Sequence, residues 1–149
     1  MSIPQLLYEA IIGNSISDTW ANAVKEWSVA NIDFSDDADT CTCGHYPIKE
    51  VCCIRNTLTK ARLDVGNHCV RHFLDIDMGT AFANLRRVKA DISKAITKNL
   101  LDLAYTHRWI NDWEYAFCLN TAKLRSMTEK QLLCREKINK KIMDRIGRE

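Results

Sequence analysis

The sequence is poor in the features that mark several large function classes. Five glycines in 149 residues are too few and too scattered to form the Gly-rich loop with which a backbone cradles phosphate. No apolar run approaches the roughly 20 residues that span a bilayer, so no membrane partner is expected. The opening MSIPQLLYEAIIGNS has no basic start and carries Glu9 within its apolar part, which is not the pattern of an export signal. Zinc deaminases require His-x-Glu followed by Pro-Cys-x-x-Cys, and neither is present. There is no internal repeat and no low-complexity segment. With no export signal, a cytoplasmic, reducing setting is expected, in which disulfides do not persist and clustered cysteines lean toward metal.

What is present is ordinary in bulk and uneven in detail. A hydrophobic fraction of 46% and a charged fraction of 27% belong to a globular chain. The length fits a single domain over 1–149, large enough to bury a core without help from a metal. The formal net charge of +2 conceals a split. Residues 1–80 hold 6 Lys/Arg against 11 Asp/Glu, a balance of −5, and residues 81–149 hold 15 against 8, a balance of +7. The basic half can serve an anionic partner or can be a set of solvated helix faces.

Periodicity predicts an α+β fold, mostly α. N-terminal helices are expected over 1–33. IPQLLYEAIIG has Pro4 near its first turn and Gly13 near its end. SDTWANAVKEWSVANI, capped by Ser17 or Asp18, has Trp20, Ala23, Val24 and Trp27 on one stripe at spacings of three and four. The acidic DFSDDADT reads as a loop. Residues 38–75 then change period: YPIKEVCCIRN and TLTKARLDVGN read as the strands of a hairpin with its loop near 56–62, followed by a short helix from Asn67 or His68. Residues 78–149 read as a C-terminal helical bundle of TAFANLRRVKADI, SKAITKNLLDLAYTHRW, DWEYAFCLNTAKLR and EKQLLCREKINKKIMDRI. Capping boxes are expected from Asn111 to Glu114 and from Thr128 to Gln131, and the last two helices are expected to pair antiparallel.

The stretch CTCGHYPIKEVCCIRN, residues 41–56, holds four of the seven cysteines and one of the four histidines. Zinc takes four ligands, commonly thiolate sulfur and imidazole nitrogen, at tetrahedral corners. Cys41 and Cys43, with Gly44 to permit a tight turn, offer one pair. Cys69 would lie on the first turn of the helix after the hairpin, where backbone N–H groups favour a thiolate. Pair, hairpin and helix N-terminus is a treble-clef or zinc-ribbon layout. The fourth ligand stays open between His45 and His72, with Cys52 third; Cys53 would point to the opposite face of the strand. The alternative is that the cysteines are small core side chains, the reading that fits Cys118 and Cys134 on their helices.

The run EWSVANIDF…CTCGHYPIKEVCCIRN…VGNHCVRHF resembles a widespread group of small uncharacterised proteins of bacteria, phages and prophages. The shared pattern corresponds to Cys41, Cys43, Gly44, Ile48, Ile54, Asn56, Val65, Gly66, Cys69, Val70 and Phe73. The tail is similar as well, at Trp113, Glu114, Phe117, Lys130 and Gln131, so the likeness covers most of residues 20–142. It implies a zinc-bound hairpin and a mobile-element origin, favours His45 as the fourth ligand, and carries no established activity.

The expected function is therefore non-catalytic binding. A treble-clef nuclease would use Asn67, His68 and His72, but thiolates filling the knuckle leave no open position for water. No signature of a Cys-His nucleophile appears, and no small-molecule substrate is expected. Nucleic acid is the first expected partner, through phosphate contacts from Arg86, Arg87, Lys89, Lys94, Lys98, Lys137, Lys140, Lys141 and Arg145. Aromatic residues are not interleaved with these charges, which argues against stacking on single strands. The alternative is a module that grips a host protein, with Tyr105, Trp109, Trp113 and Tyr115 as anchors. Self-association is a third reading.

Overall fold

A computed structural model describes residues 3–147; residues 1, 2, 148 and 149, at the ends of the expected domain over 1–149, lie outside the described residues. The described residues group into two compact units, one of residues 3–78 with 147 and one of Gly79–Ile146. The first unit holds α1 (Gln5–Gly13), α2 (Trp20–Val24), β1 (Trp27–Asp39), β2 (Ile48–Asn56), β3 (Arg62–Gly66) and α3 (Asn67–Leu74). The second holds α4 (Gly79–Ala90), α5 (Lys98–Thr106), α6 (Asp112–Thr121) and α7 (Glu129–Met143). The fold is α+β, with a small antiparallel sheet of order β1-β2-β3.

The hairpin is the part that the sequence pattern placed best. β2 and β3 pair with Cys52 opposite Val65 and Ile54 opposite Leu63. Val51, Cys52, Ile54 and Val65 are buried. The Asn56 side chain shapes the turn by accepting from the N–H groups of Leu58 and Thr59 at 2.8 and 3.0 Å, an Asx-type turn.

β1 overturns an expectation. The helix predicted through Ile32 stops at Val24, and the acidic segment predicted as a loop continues a strand to Asp39. The stripe of Trp20, Ala23, Val24 and Trp27 ends where the strand begins, and nothing in it marks that boundary. β1 also carries a bulge: Val29 pairs with Ile54 and Asn31 with Cys53, so β1 advances two residues where β2 advances one. Trp27, Val29 and Ile32 are all buried; their spacing of two becomes three across the bulge, which hides the strand's alternation. A second irregularity falls between Phe34 and Asp39, where Ala38 has a φ of 55°.

Aromatic contacts join the three helices of this unit, and one buried carboxylate ties the segment before α2 to β2. Tyr8 stacks on Trp20 with ring centroids 5.4 Å apart, and Trp20 meets Phe73 at 6.1 Å. Glu26 accepts from the N–H groups of Ile16 and Ser17 at 2.8 and 2.9 Å and from Asn56 Nδ2 at 2.9 Å. These hydrogen bonds hold its carboxyl below the ordinary carboxylate range, that from Asn56 first.

In the second unit both expected capping boxes are present, at Asn111–Glu114 and Thr128–Gln131. α6 and α7 run antiparallel as expected: Glu114 near the start of α6 meets Lys141 near the end of α7. α5 is shorter than predicted, since residues 91–97 are irregular. Asp91 accepts from the N–H and hydroxyl of Ser93 at 3.0 and 2.6 Å, a local pattern that competes with helix. Three buried polar residues then fasten this segment: Asn84 donates to Ala95 O, Asn139 to Ile92 O and Lys94 O, and Arg135 to Ser93 O and Thr121 O. Ile92, in the segment predicted as the end of a helix, is exposed. Phe82, Leu85, Leu100, Leu101, Ile138 and Ile142 are fully buried, each worth about 1.5–3 kcal/mol by removal from water.

Candidate functional site

Three sulfurs converge at the end of the hairpin. The metal-ligating atoms of Cys41, Cys43 and Cys69 all lie within 4.8 Å of one another. The sequence dictates this locally in two pieces. In the first, a turn from Cys41 closes with Gly44 N–H donating to Cys41 O at 2.8 Å and Cys41 N–H donating to His45 O at 2.9 Å. Gly44 sits at φ 93°, a left-handed conformation that calls for glycine. Thr42 fastens the turn to β3, its N–H and hydroxyl both donating to Asp64 O, at 3.1 and 2.8 Å. In the second piece, β3 runs directly into α3, which places Cys69 on that helix's first turn.

The arrangement favours charge on Cys41. Cys41 Sγ and Cys69 Sγ are in hydrogen-bond contact at 3.5 Å, and the N–H groups of Gly66 and Cys43 donate to Cys41 Sγ at 3.3 and 3.5 Å. The Cys69 contact foremost, and these N–H groups with it, hold Cys41 below the ordinary thiol range, while the contact with Cys41 and burial hold Cys69 above it. Two sulfurs bound at ~2.3 Å to one tetrahedral ion stand about 3.8 Å apart, close to the 3.5 Å between Cys41 and Cys69. The cysteines are free thiols.

None of the three candidates for a fourth ligand joins the group. His45 meets it only through its backbone carbonyl, which closes the Cys41 turn and leaves the side chain exposed. His72 turns to His68, with 3.2 Å between their Nε2 atoms. Cys52 is fully buried in β2, and burial first of all pushes its thiol up to about 12. Cys118 is buried on α6, as expected of a core side chain, and burial raises its thiol to about 11. The sequence pattern found the three thiols but missed the Gly66 N–H, because a backbone donor leaves no letter of its own.

The basic residues divide on inspection. Arg86, Arg87 and Lys89 on α4, Lys94 in the loop after it, Lys137 and Lys140 on α7, and Arg145 after it are exposed. Lys98 is engaged with Asp102 at 2.8 Å. Lys141 reaches both oxygens of the largely buried Glu114, at 2.8 and 2.7 Å. Burial alone would raise the Glu114 carboxyl, but Lys141 and the Asn111 N–H hold it below its ordinary value. These two lysines, counted by the sequence pattern among the phosphate contacts, are already paired within the fold. Arg135, buried against two carbonyls, contributes nothing to the exposed charge.

Among the described residues, no helix is long and apolar enough to cross a membrane. Comparison with protein-family models, curated proteins and solved structures gives no match.

Proposed function

We propose that the chain is a zinc-stabilised, non-catalytic binding module that meets nucleic acid through its basic C-terminal half, acts in the cytosol, and shares a phage or mobile-element origin with the small proteins it resembles. The observation that carries the reading is the convergence of Cys41, Cys43 and Cys69. Thiolates select soft or borderline ions, and Cys-rich sets are the pattern of structural zinc, whereas most catalytic zinc sites draw chiefly on histidine and carboxylate. The fourth position falls to a local movement of His45, the ligand that the resemblance favours. The exposed cations of α4 and α7 supply the sequence-independent phosphate contacts.

The test has two steps. Elemental analysis of the purified chain should find one zinc, and Cys41→Ser and Cys69→Ser should each lose it together with thermal stability. A gel-shift titration should then find binding to nucleic acid that weakens as salt rises. Zinc-free protein whose serine variants melt like the parent would remove the metal centre, and salt-independent or absent binding would remove the nucleic-acid role.

A second reading, a module that grips a host protein, is favoured by one feature. Trp113 is 63% exposed and stacks on Phe117 with centroids 5.4 Å apart. A rigid, exposed aromatic pair is the kind of anchor on which protein interfaces concentrate their energy. Trp113→Ala should then abolish capture of a partner from host lysate while leaving nucleic-acid binding intact.

A further inference from the structure

We propose that His68 and His72 form a second metal site, separate from the thiols: an open chelate for a divalent transition ion that prefers imidazole, such as Ni²⁺, Cu²⁺ or Zn²⁺. The two residues stand four apart on α3 and therefore share a face one turn apart. Shared faces are common, but converging ring nitrogens are not required by them. Here the Nε2 atoms lie 3.2 Å apart, with ring centroids at 4.5 Å and ring planes at 78°. Two nitrogens each ~2.1 Å from an ion and 3.2 Å apart subtend about 100° at it. That angle lies between the right angle of square or octahedral sites and the tetrahedral angle, so either geometry is within reach.

The surroundings suit a cation. The pair lines a cleft of about 430 Å³ with Arg71, Asp75, Ile76 and Asp77. Two carboxylates thus stand around it, and the one arginine is turned toward Asp77, 3.8 Å from its Oδ2. Between two neutral imidazoles only one Nε2 lone pair accepts a proton from the other ring. A divalent ion takes both lone pairs and leaves its remaining positions to water or to an incoming ligand. The site stands whether or not the thiol group holds zinc, since it uses none of the three sulfurs.

The test uses the full chain, first loaded with one equivalent of zinc and then titrated with Ni²⁺ by calorimetry, with the histidine ring resonances followed by NMR. One Ni²⁺ should bind per chain and broaden His68 and His72 ahead of His45 and His107. His68→Ala and His72→Ala should each weaken binding by more than about tenfold, a loss that even outer-sphere partners of a metal can cause, and His107→Ala should leave it unchanged. The proposal is overturned if all four histidines broaden alike, if neither variant alters binding, or if Ni²⁺ lodges only among the thiols. Should a variant fail to fold by circular dichroism, the resonances of the unsubstituted chain decide.

Discussion

At the scale of single residues, the chain places polar atoms where a backbone would otherwise be left unpaired. Glu26 is the clearest case, a buried carboxylate that satisfies two backbone N–H groups and the Asn56 amide at once. Its carboxyl lies below its ordinary 4.5 because Asn56 and the Ile16 N–H favour the charged form. A depressed acid adds stability that is complete above its unfolded value and is lost as the pH falls through the lower folded value. Glu26→Gln should therefore be less stable than the parent at pH 7, with the gap closing as the pH drops below about 4.5; urea midpoints measured across that range would check it, and a gap independent of pH would discount the charge. The thiol cluster was legible at the same scale, in part. Cys41, Cys43 and Cys69 could be picked out because a Cys-x-Cys-Gly turn and a helix start each have a sequence signature. The fourth ligand could not, because the direction of the His45 ring depends on which backbone atoms close the turn. Spacing places both His68 and Cys69 one turn before His72, and it does not choose between them; the structure pairs His72 with His68.

At the scale of elements, local signals succeeded where one hydrogen-bond pattern decides the outcome and failed where tertiary pairing does. The starts of α6 and α7 were readable because a capping box is written in four consecutive residues. Thr128 accepts from Gln131 N–H at 3.1 Å while Gln131 Oε1 accepts from Thr128 N–H at 2.9 Å. Thr128→Ala should cost about 1 kcal/mol, read as a lower urea midpoint with the slope unchanged, and Thr128→Ser should restore most of it. β1 was not readable, because the helical stripe of α2 runs up to its first residue, Trp27, and its bulge between Val29 and Asn31 breaks the alternation that marks a strand. Its partner β2 supplies the missing information, and that lies more than twenty residues away in sequence. The start of α5 was misplaced for a related reason: Ala95 and Ile96 have good helical neighbours in sequence, yet Asn84, Arg135 and Asn139 bind the backbone of residues 92–95 from other elements.

At the scale of the whole molecule, charge is the property that the sequence states most directly and the structure revises most. The C-terminal 69 residues carry a balance of +7, but that figure gives Lys98, Arg135 and Lys141 equal weight with the rest, and all three are spent on partners inside the fold. Seven of the nine cations first assigned to phosphate are Arg86, Arg87, Lys89, Lys94, Lys137, Lys140 and Arg145, all exposed. Each ionic contact to duplex DNA steepens the dependence of log K on log salt by about 0.9, so the full set would give a slope near −6 as its upper bound. Lys137→Glu with Lys140→Glu removes two contacts on one face of α7 and should flatten the slope by about 2, with affinity falling alike for every sequence tested. Lys98→Ala, whose ammonium is already held by Asp102 at 2.8 Å, should leave the slope where it was. Filter-binding titrations across a salt series distinguish the two classes of lysine directly. Equal effects from both would mean that net charge alone drives the association and that no particular face is used. No effect from either, with Trp113→Ala abolishing capture of a protein partner, would move the functional surface from the cations of α7 to the aromatic pair of α6.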